Sequence, residues 1–198
     1  MKKLATIAII LLAVWWLWSS GKRHAPGVLV SATPKIELID RGEPWKFETK
    51  SRKFEIVPRA KYVLEARVLS VNTDYGDTQI GPLDVTVGWG RMSDQSVLDR
   101  MQIWQDNTRH WYVQPRGDWP IPYDEVALSA VNTHVIPATP ALEKELSSIG
   151  KGDVIALEGY LVNVNGENNF HWNTSVDPSG FGEHSCKIIW VEKFRTLR

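Results

Sequence analysis

Alternation of apolar and polar positions dominates this chain from residue 35 onward. Lys35-Ile36-Glu37-Leu38-Ile39 alternates, and Phe47, Phe54, Ile56 and Val57 flank a charged Lys50–Lys53 turn, which predicts a hairpin. The run 61–72 (KYVLEARVLSVN) is the longest strand signal. Its two faces are Tyr62, Leu64, Ala66, Val68 and Val63, Glu65, Arg67, Leu69, Val71, because successive strand side chains point to opposite sides. A short strand is predicted over 84–89. Residues 153–165 (DVIALEGYLVNVN) alternate again, and Asn165-Gly166 is a hairpin-turn signal that predicts a returning strand over 169–176. Residues 185–194 (SCKIIWVEKF) predict a further strand in the same sheet.

Helix signals are few. Ser93 to Met101 opens on capping residues, and Thr139-Pro140 supplies a cap and a first-turn proline ahead of Leu142 and Leu146, with Gly150 as a stop. A third, weaker helical pattern covers Tyr123 to Val131. Long strands, then a short helix, then a hairpin and a final strand resemble the second half of an oligonucleotide/oligosaccharide-binding barrel. Lys151 to Gly159 (KGDVIALEG) looks like the strand that opens that half. The expected fold is mainly β, barrel-like, with two or three short helices and a preceding transmembrane helix.

That preceding helix is expected from residues 4–18 (LATIAIILLAVWWLW), which are apolar but for Thr6. As a helix, residues 4–21 span about 27 Å. This lies between a signal-peptide core and a full membrane span. Trp15, Trp16 and Trp18 cluster at the outer end, where indoles favour the membrane interface. The Ser19–Arg23 stretch offers only a weak cleavage site, so an uncleaved anchor is favoured over a cleaved signal. The expected organisation is an anchor over 1–24, a tether over 25–35 and one extracytoplasmic β-rich domain over 36–198. The expected location is a bacterial inner membrane, single-pass, with the domain outside the cytoplasm.

Charge sharpens this reading. The chain has 23 basic and 23 acidic residues, but Lys2, Lys3, Lys22 and Arg23 flank the apolar run and no acid does. Setting those four aside leaves 19 basic against 23 acidic residues, a net of −4. A broadly basic nucleic-acid binder is therefore excluded. One cysteine excludes an intrachain disulfide framework and a Cys-rich zinc module.

Several stretches together resemble a family of exported or membrane-anchored bacterial proteins. They are Gly88-Trp89-Gly90-Arg91-Met92-Ser93-Asp94, His134-Val135-Ile136-Pro137-Ala138, Gly159-Tyr160-Leu161-Val162 and Cys186-Lys187-Ile188-Ile189-Trp190-Val191-Glu192. They reach across more than half the chain. Residues 131–134 and 175–178 depart from the expected polar pattern. The resemblance implies location and an OB-like C-terminal half, and no activity.

The sharpest chemical candidate is Cys186 as a nucleophile, with His134 or His184 as base and Asn132 or Asp177 as orienter, for acyl transfer or thiol exchange. Its competitor is Cys186 as a small buried hydrophobe. A metal site drawn from His134, His171, His184, Cys186 and Asp177 lacks any ligand spacing, and neither a metal nor a cofactor is expected. There is no Gly-x-Ser-x-Gly and no phosphate loop. The stretch 105–122 is rich in aromatic and guanidinium groups. Trp111, Arg116 and Trp119 are its candidate binding anchors, Trp and Arg being enriched at hot spots. The favoured function is a membrane-anchored binding or scaffolding module with an envelope protein partner. The alternative is an envelope thiol hydrolase or acyl-transfer enzyme built on Cys186.

Overall fold

A computed structural model describes residues 21–40, 42–73, 80–106, 110–178 and 185–198. Residues 1–20 of the expected anchor, and His184, lie outside the described residues. Among the described residues no helix is long and apolar enough to cross a membrane.

The chain is mainly β. Strand β3 (Lys53–Asn72) organises the fold. Its inner face is Ala60, Tyr62, Leu64, Ala66 and Val68, all nearly inaccessible to solvent, while Glu55, Arg59, Lys61 and Glu65 face out. The period-2 pattern of the sequence is thus the burial pattern of the strand. Around it lie β1 (Lys35–Leu38), β2 (Trp45–Glu48) and β4 (Leu83–Gly88), all antiparallel to β3. Next along the sheet is β7 (Ala130–Pro137), antiparallel to β4. Strand β10 (Lys187–Thr196) pairs parallel with β7 and antiparallel with β8 (Val154–Gly166). A long ladder between β8 and β3 completes the set, so the pairings run β3-β4-β7-β10-β8 and return to β3. Strand β9 (Phe170–Trp172) pairs antiparallel with the end of β8.

The expected hairpin is present with its turn displaced. Gly166 pairs with Phe170, so Asn165-Gly166 belongs to the strand and residues 167–169 make the turn. Asn168 and Asn169 adopt the positive φ there, at 60° and 59°. Asparagine tolerates this left-handed region better than most residues.

Between β4 and β7 the chain makes a 3₁₀ turn (Gly90–Ser93) and helix α1 (Gln95–Leu98), capped by Asp94, whose side chain accepts from the Ser96 backbone at 2.8 Å. A separate two-stranded hairpin follows, β5 (Met101–Gln105) with β6 (Trp111–Pro115), and then helix α2 (Tyr123–Ser129). Helix α3 (Pro140–Leu146) is capped by Thr139, as its sequence predicts. Leu146 is buried in the main core and Leu142 packs against it.

Three apolar clusters result. The main one joins Tyr62, Leu64, Val85, Val135, Leu157 and Ile189. A second gathers Ile136, Ile188 and Trp190 under β2, with the Trp45 and Phe47 rings edge-on to Trp190 at 5.5 and 5.1 Å. The third places Met92, Met101 and Val126 beneath the β5–β6 hairpin.

Candidate functional site

Strand β7 is buried along its whole length, polar residues included. Val131 and Val135 point into the main core, so Asn132 and His134 project from the opposite face with Ile136. Antiparallel register sets Asp84 of β4 directly beside His134, and Thr86 beside Asn132. Parallel register brings Ile188 of β10 level with His134, which carries the adjoining Cys186 to the same end of the strand.

His134 is therefore held from two sides. Its Nδ1 lies 2.9 Å from Asp84 Oδ1. The Cys186 sulfur lies near enough to the same imidazole to favour its charged form. With Nδ1 committed to Asp84, Nε2 is the ring nitrogen left for the thiol. Burial pushes the imidazole pKa down, but the Asp84 carboxylate and the Cys186 sulfur outweigh it, and the net shift is upward. Trp172 of β9 packs on the ring at 4.7 Å between centroids. Trp172 also passes close to Gly81, where a Cβ would lie 3.6 Å from the indole.

The carboxylate is itself positioned. Asn132 Nδ2 donates to Asp84 Oδ1 at 3.0 Å, and Gln105 Nε2 donates to Asn132 Oδ1 at 2.7 Å. Ser70 donates to Gln105 Oε1 at 2.9 Å, and Thr86 touches Asn132 Oδ1 at 3.4 Å. Hydrogen bonds thus run from β3 through β5 and β7 to the carboxylate. Asp84 Oδ2 is buried and has no partner among the described residues. A buried carboxylate oxygen without a donor is costly, which favours a cation at the nearest position, here the imidazolium.

Of the sequence candidates, the structure brings Cys186 and His134 together. Cys186 is half-buried, not enclosed. The orienting group is Asp84, which sequence reasoning missed. Asn132 serves the carboxylate instead of the imidazole, and Asp177 meets Lys187 through its backbone carbonyl. Lys187, next to Cys186, points to the other face. It is almost fully buried, and burial lowers its ammonium pKa to about 8 against smaller opposing contributions from Asp177 and Cys186. His171 is exposed and bonds Asn165 at 3.0 Å, away from this site. Among the described residues no group of three or more His, Cys, Asp or Glu is arranged to hold a metal ion.

The aromatic candidates divide. Trp111 is half-buried and packs on the third cluster with Ile103 and Val113. Trp119 is 37% exposed and meets Tyr123 edge-on at 5.2 Å. Trp104 and Tyr112, neighbours across the hairpin, stack at 5.4 Å and are both exposed. Arg116 is exposed, with Nε donating to the Met101 carbonyl at 3.4 Å.

Comparison of the chain with protein-family models, with curated proteins and with solved structures gave no match.

Proposed function

We propose that this protein is a thiol-dependent acyl-transfer or hydrolytic enzyme, carried on an OB-like barrel tethered outside the cytoplasm of a bacterial cell. The observation that carries the reading is the single imidazole held between a carboxylate and a thiol, Asp84–His134–Cys186. The order β3-β4-β7-β10-β8 with a return to β3, a parallel β7–β10 pair and a helix between β7 and β8 supports the OB-like description. The apolar run over 4–18 supports the tether.

In this mechanism Nε2 of His134 takes the Cys186 proton as the sulfur attacks an acyl carbonyl. The tetrahedral adduct collapses to a thioester, and the imidazolium returns the proton to the departing alcohol, amine or thiol. Water, deprotonated by the same imidazole, then cleaves the thioester and restores the thiol. Asp84 is a positioning residue. It fixes the tautomer and stabilises the imidazolium without being protonated.

The test is hydrolysis of an activated ester by the full chain in neutral detergent. Cys186→Ser and His134→Gln are expected to abolish the thiol-dependent rate with thermal unfolding retained. Equal rates in Cys186→Ser and wild type would overturn the reading. A second reading, a binding or scaffolding module for an envelope protein, draws on the exposed aromatic pairs Trp104–Tyr112 and Trp119–Tyr123. Loss of partner capture in Trp119→Ala, with Cys186→Ser fully functional, would favour it.

A further inference from the structure

Remote from the thiol, a cavity of about 490 Å³ opens where the N-terminal segment meets the body. Four cationic side chains line it: Lys22, Arg23, Arg116 and Lys151. Its apolar part is Leu69, Leu98, Met101 and Ile103. Two of the cations are neutralised, Lys22 by Asp153 at 2.6 Å and Arg23 by Asp99 at 2.8 Å. Among the described residues Lys151 and Arg116 form no ion pair.

A fifth cation stands behind the wall. Arg67 is 3% exposed and donates to the carbonyls of Ser93 and Lys22 and to Gln95, itself a lining residue. Its Nε is buried without a partner among the described residues. Partial burial and then the charges of Arg116 and Arg67 hold the Lys151 ammonium below its ordinary pKa. Like charges are thus gathered around one concavity in a body whose net charge is −4 without its first 24 residues. This convergence opposes folding unless an anion occupies the space between them. The rest of the lining is mixed: Asp99, already paired with Arg23, and Gln95 lie beside the apolar wall of Leu69, Leu98, Met101 and Ile103, and that wall suits an anion that also carries a hydrocarbon part.

Placement narrows the choice. Lys22 follows Trp18, the end of the apolar run, by four residues, at most ~14 Å of extended chain. The segment is also fixed on the body: Lys22 N donates to the Lys151 carbonyl at 2.8 Å, and the His24 ring meets the Gly152 carbonyl at 2.7 Å. Gly152, at φ 93°, permits this approach, since a Cβ there would lie 2.1 Å from the Lys22 carbonyl oxygen. We propose that the cavity binds the phosphate headgroup of an anionic phospholipid, drawn from the leaflet in which residues 4–18 are anchored. The lipid source rests on the anchor in the proposed function, and the anion chemistry does not.

The experiment uses the full chain in neutral maltoside micelles, titrated with short-chain phosphatidylglycerol, short-chain phosphatidylcholine or inorganic phosphate and read by native mass spectrometry and thermal unfolding. Phosphatidylglycerol is expected to bind at least tenfold tighter than either alternative. The Lys151→Gln/Arg116→Gln double variant is expected to lose at least tenfold of that affinity. The same variant should unfold no earlier than wild type without lipid, because it relieves repulsion. Inorganic phosphate binding as tightly as phosphatidylglycerol would overturn the lipid assignment. Equal affinity for both lipids, or an unaffected double variant, would overturn the site. Since neither substituted residue touches Cys186, ester hydrolysis measured in parallel separates this failure from that of the thiol reading.

Discussion

Replacing Asp84 by Asn isolates what the carboxylate does for His134. The side chain stays nearly isosteric, but the ionised acceptor 2.9 Å from Nδ1 is gone. Hydrogen bonds to a charged partner are worth about 1.5–3 kcal/mol. At 1.36 kcal/mol per power of ten, that range corresponds to roughly a 10- to 150-fold change in imidazolium stabilisation. The substitution also leaves an amide N–H₂ near the buried, unpartnered Oδ2 position. The first assay is alkylation of Cys186, the sole thiol, by iodoacetamide at pH 7; the rate is expected to fall by one to two powers of ten. The second assay is unfolding against pH. A raised folded-state pKa for His134 means that the imidazolium–carboxylate stabilisation is complete below the unfolded value of about 6.5. It is lost as pH rises through the higher folded value. The stability gap between wild type and Asp84→Asn should therefore be wider at pH 5.5 than at pH 8.5. Equal alkylation rates together with a pH-independent gap would refute the argument, reducing Asp84–His134 to ordinary interior hydrogen bonding.

Other outcomes follow from the same geometry. Trp111→Ala should cost about 1.5–3 kcal/mol of stability, because half of this ring packs on the third cluster, whereas Trp119→Ala should cost about 1 kcal/mol or less; chemical denaturation of both reads the difference. Gly159→Ala should lower the melting temperature by on the order of 3–10 °C, since its Cβ would sit 1.9 Å from the Trp190 carbonyl oxygen in the middle of the β8–β10 ladder. Lys187→Met should leave ester hydrolysis intact and raise or preserve stability, because it exchanges a buried ammonium for an apolar chain of similar length; a collapse of folding would show that the carbonyls of Asp177 and Ser185 depend on it.

Legibility in the sequence followed how local the physics was. The inner face of β3, the Thr139 cap and the β8 strand each rest on near neighbours, and each was readable from alternation or capping chemistry. Strand β7 was not, because Asn132, Thr133 and His134 break the apolar pattern that marks a buried strand. The burial of Asn132 and His134 is tolerable only through Asp84 and Gln105, tens of residues away. The hairpin β5–β6 gives little alternation to read, since its outward row, Gln102, Trp104, Tyr112 and Gln114, is half aromatic. At the candidate site, Cys186 and His134 were identifiable as reactive types. Asp84 was one of 23 acidic residues, and only the β4–β7 register distinguishes it. Arg67 was similarly hidden: alternation placed it outside, but it lies next to the Val68–Ser70 irregularity and is buried.

The position of β10 bears on how this protein acquires its shape. Residues 187–196 lie between β7 and β8, and the adjoining Leu197 N–H closes onto the Val154 carbonyl at 2.7 Å. Every partner of β10 precedes it, as does every ladder of β3. During synthesis the earlier strands must wait, with one edge of β7 and one of β8 unpaired. Unpaired strand edges are templates for intermolecular pairing, and contacts this distant along the chain form slowly. A nascent chain stopped before residue 187 would leave both edges open beside His134, so freedom from aggregation depends on prompt delivery of the strand that also brings Cys186 to its histidine.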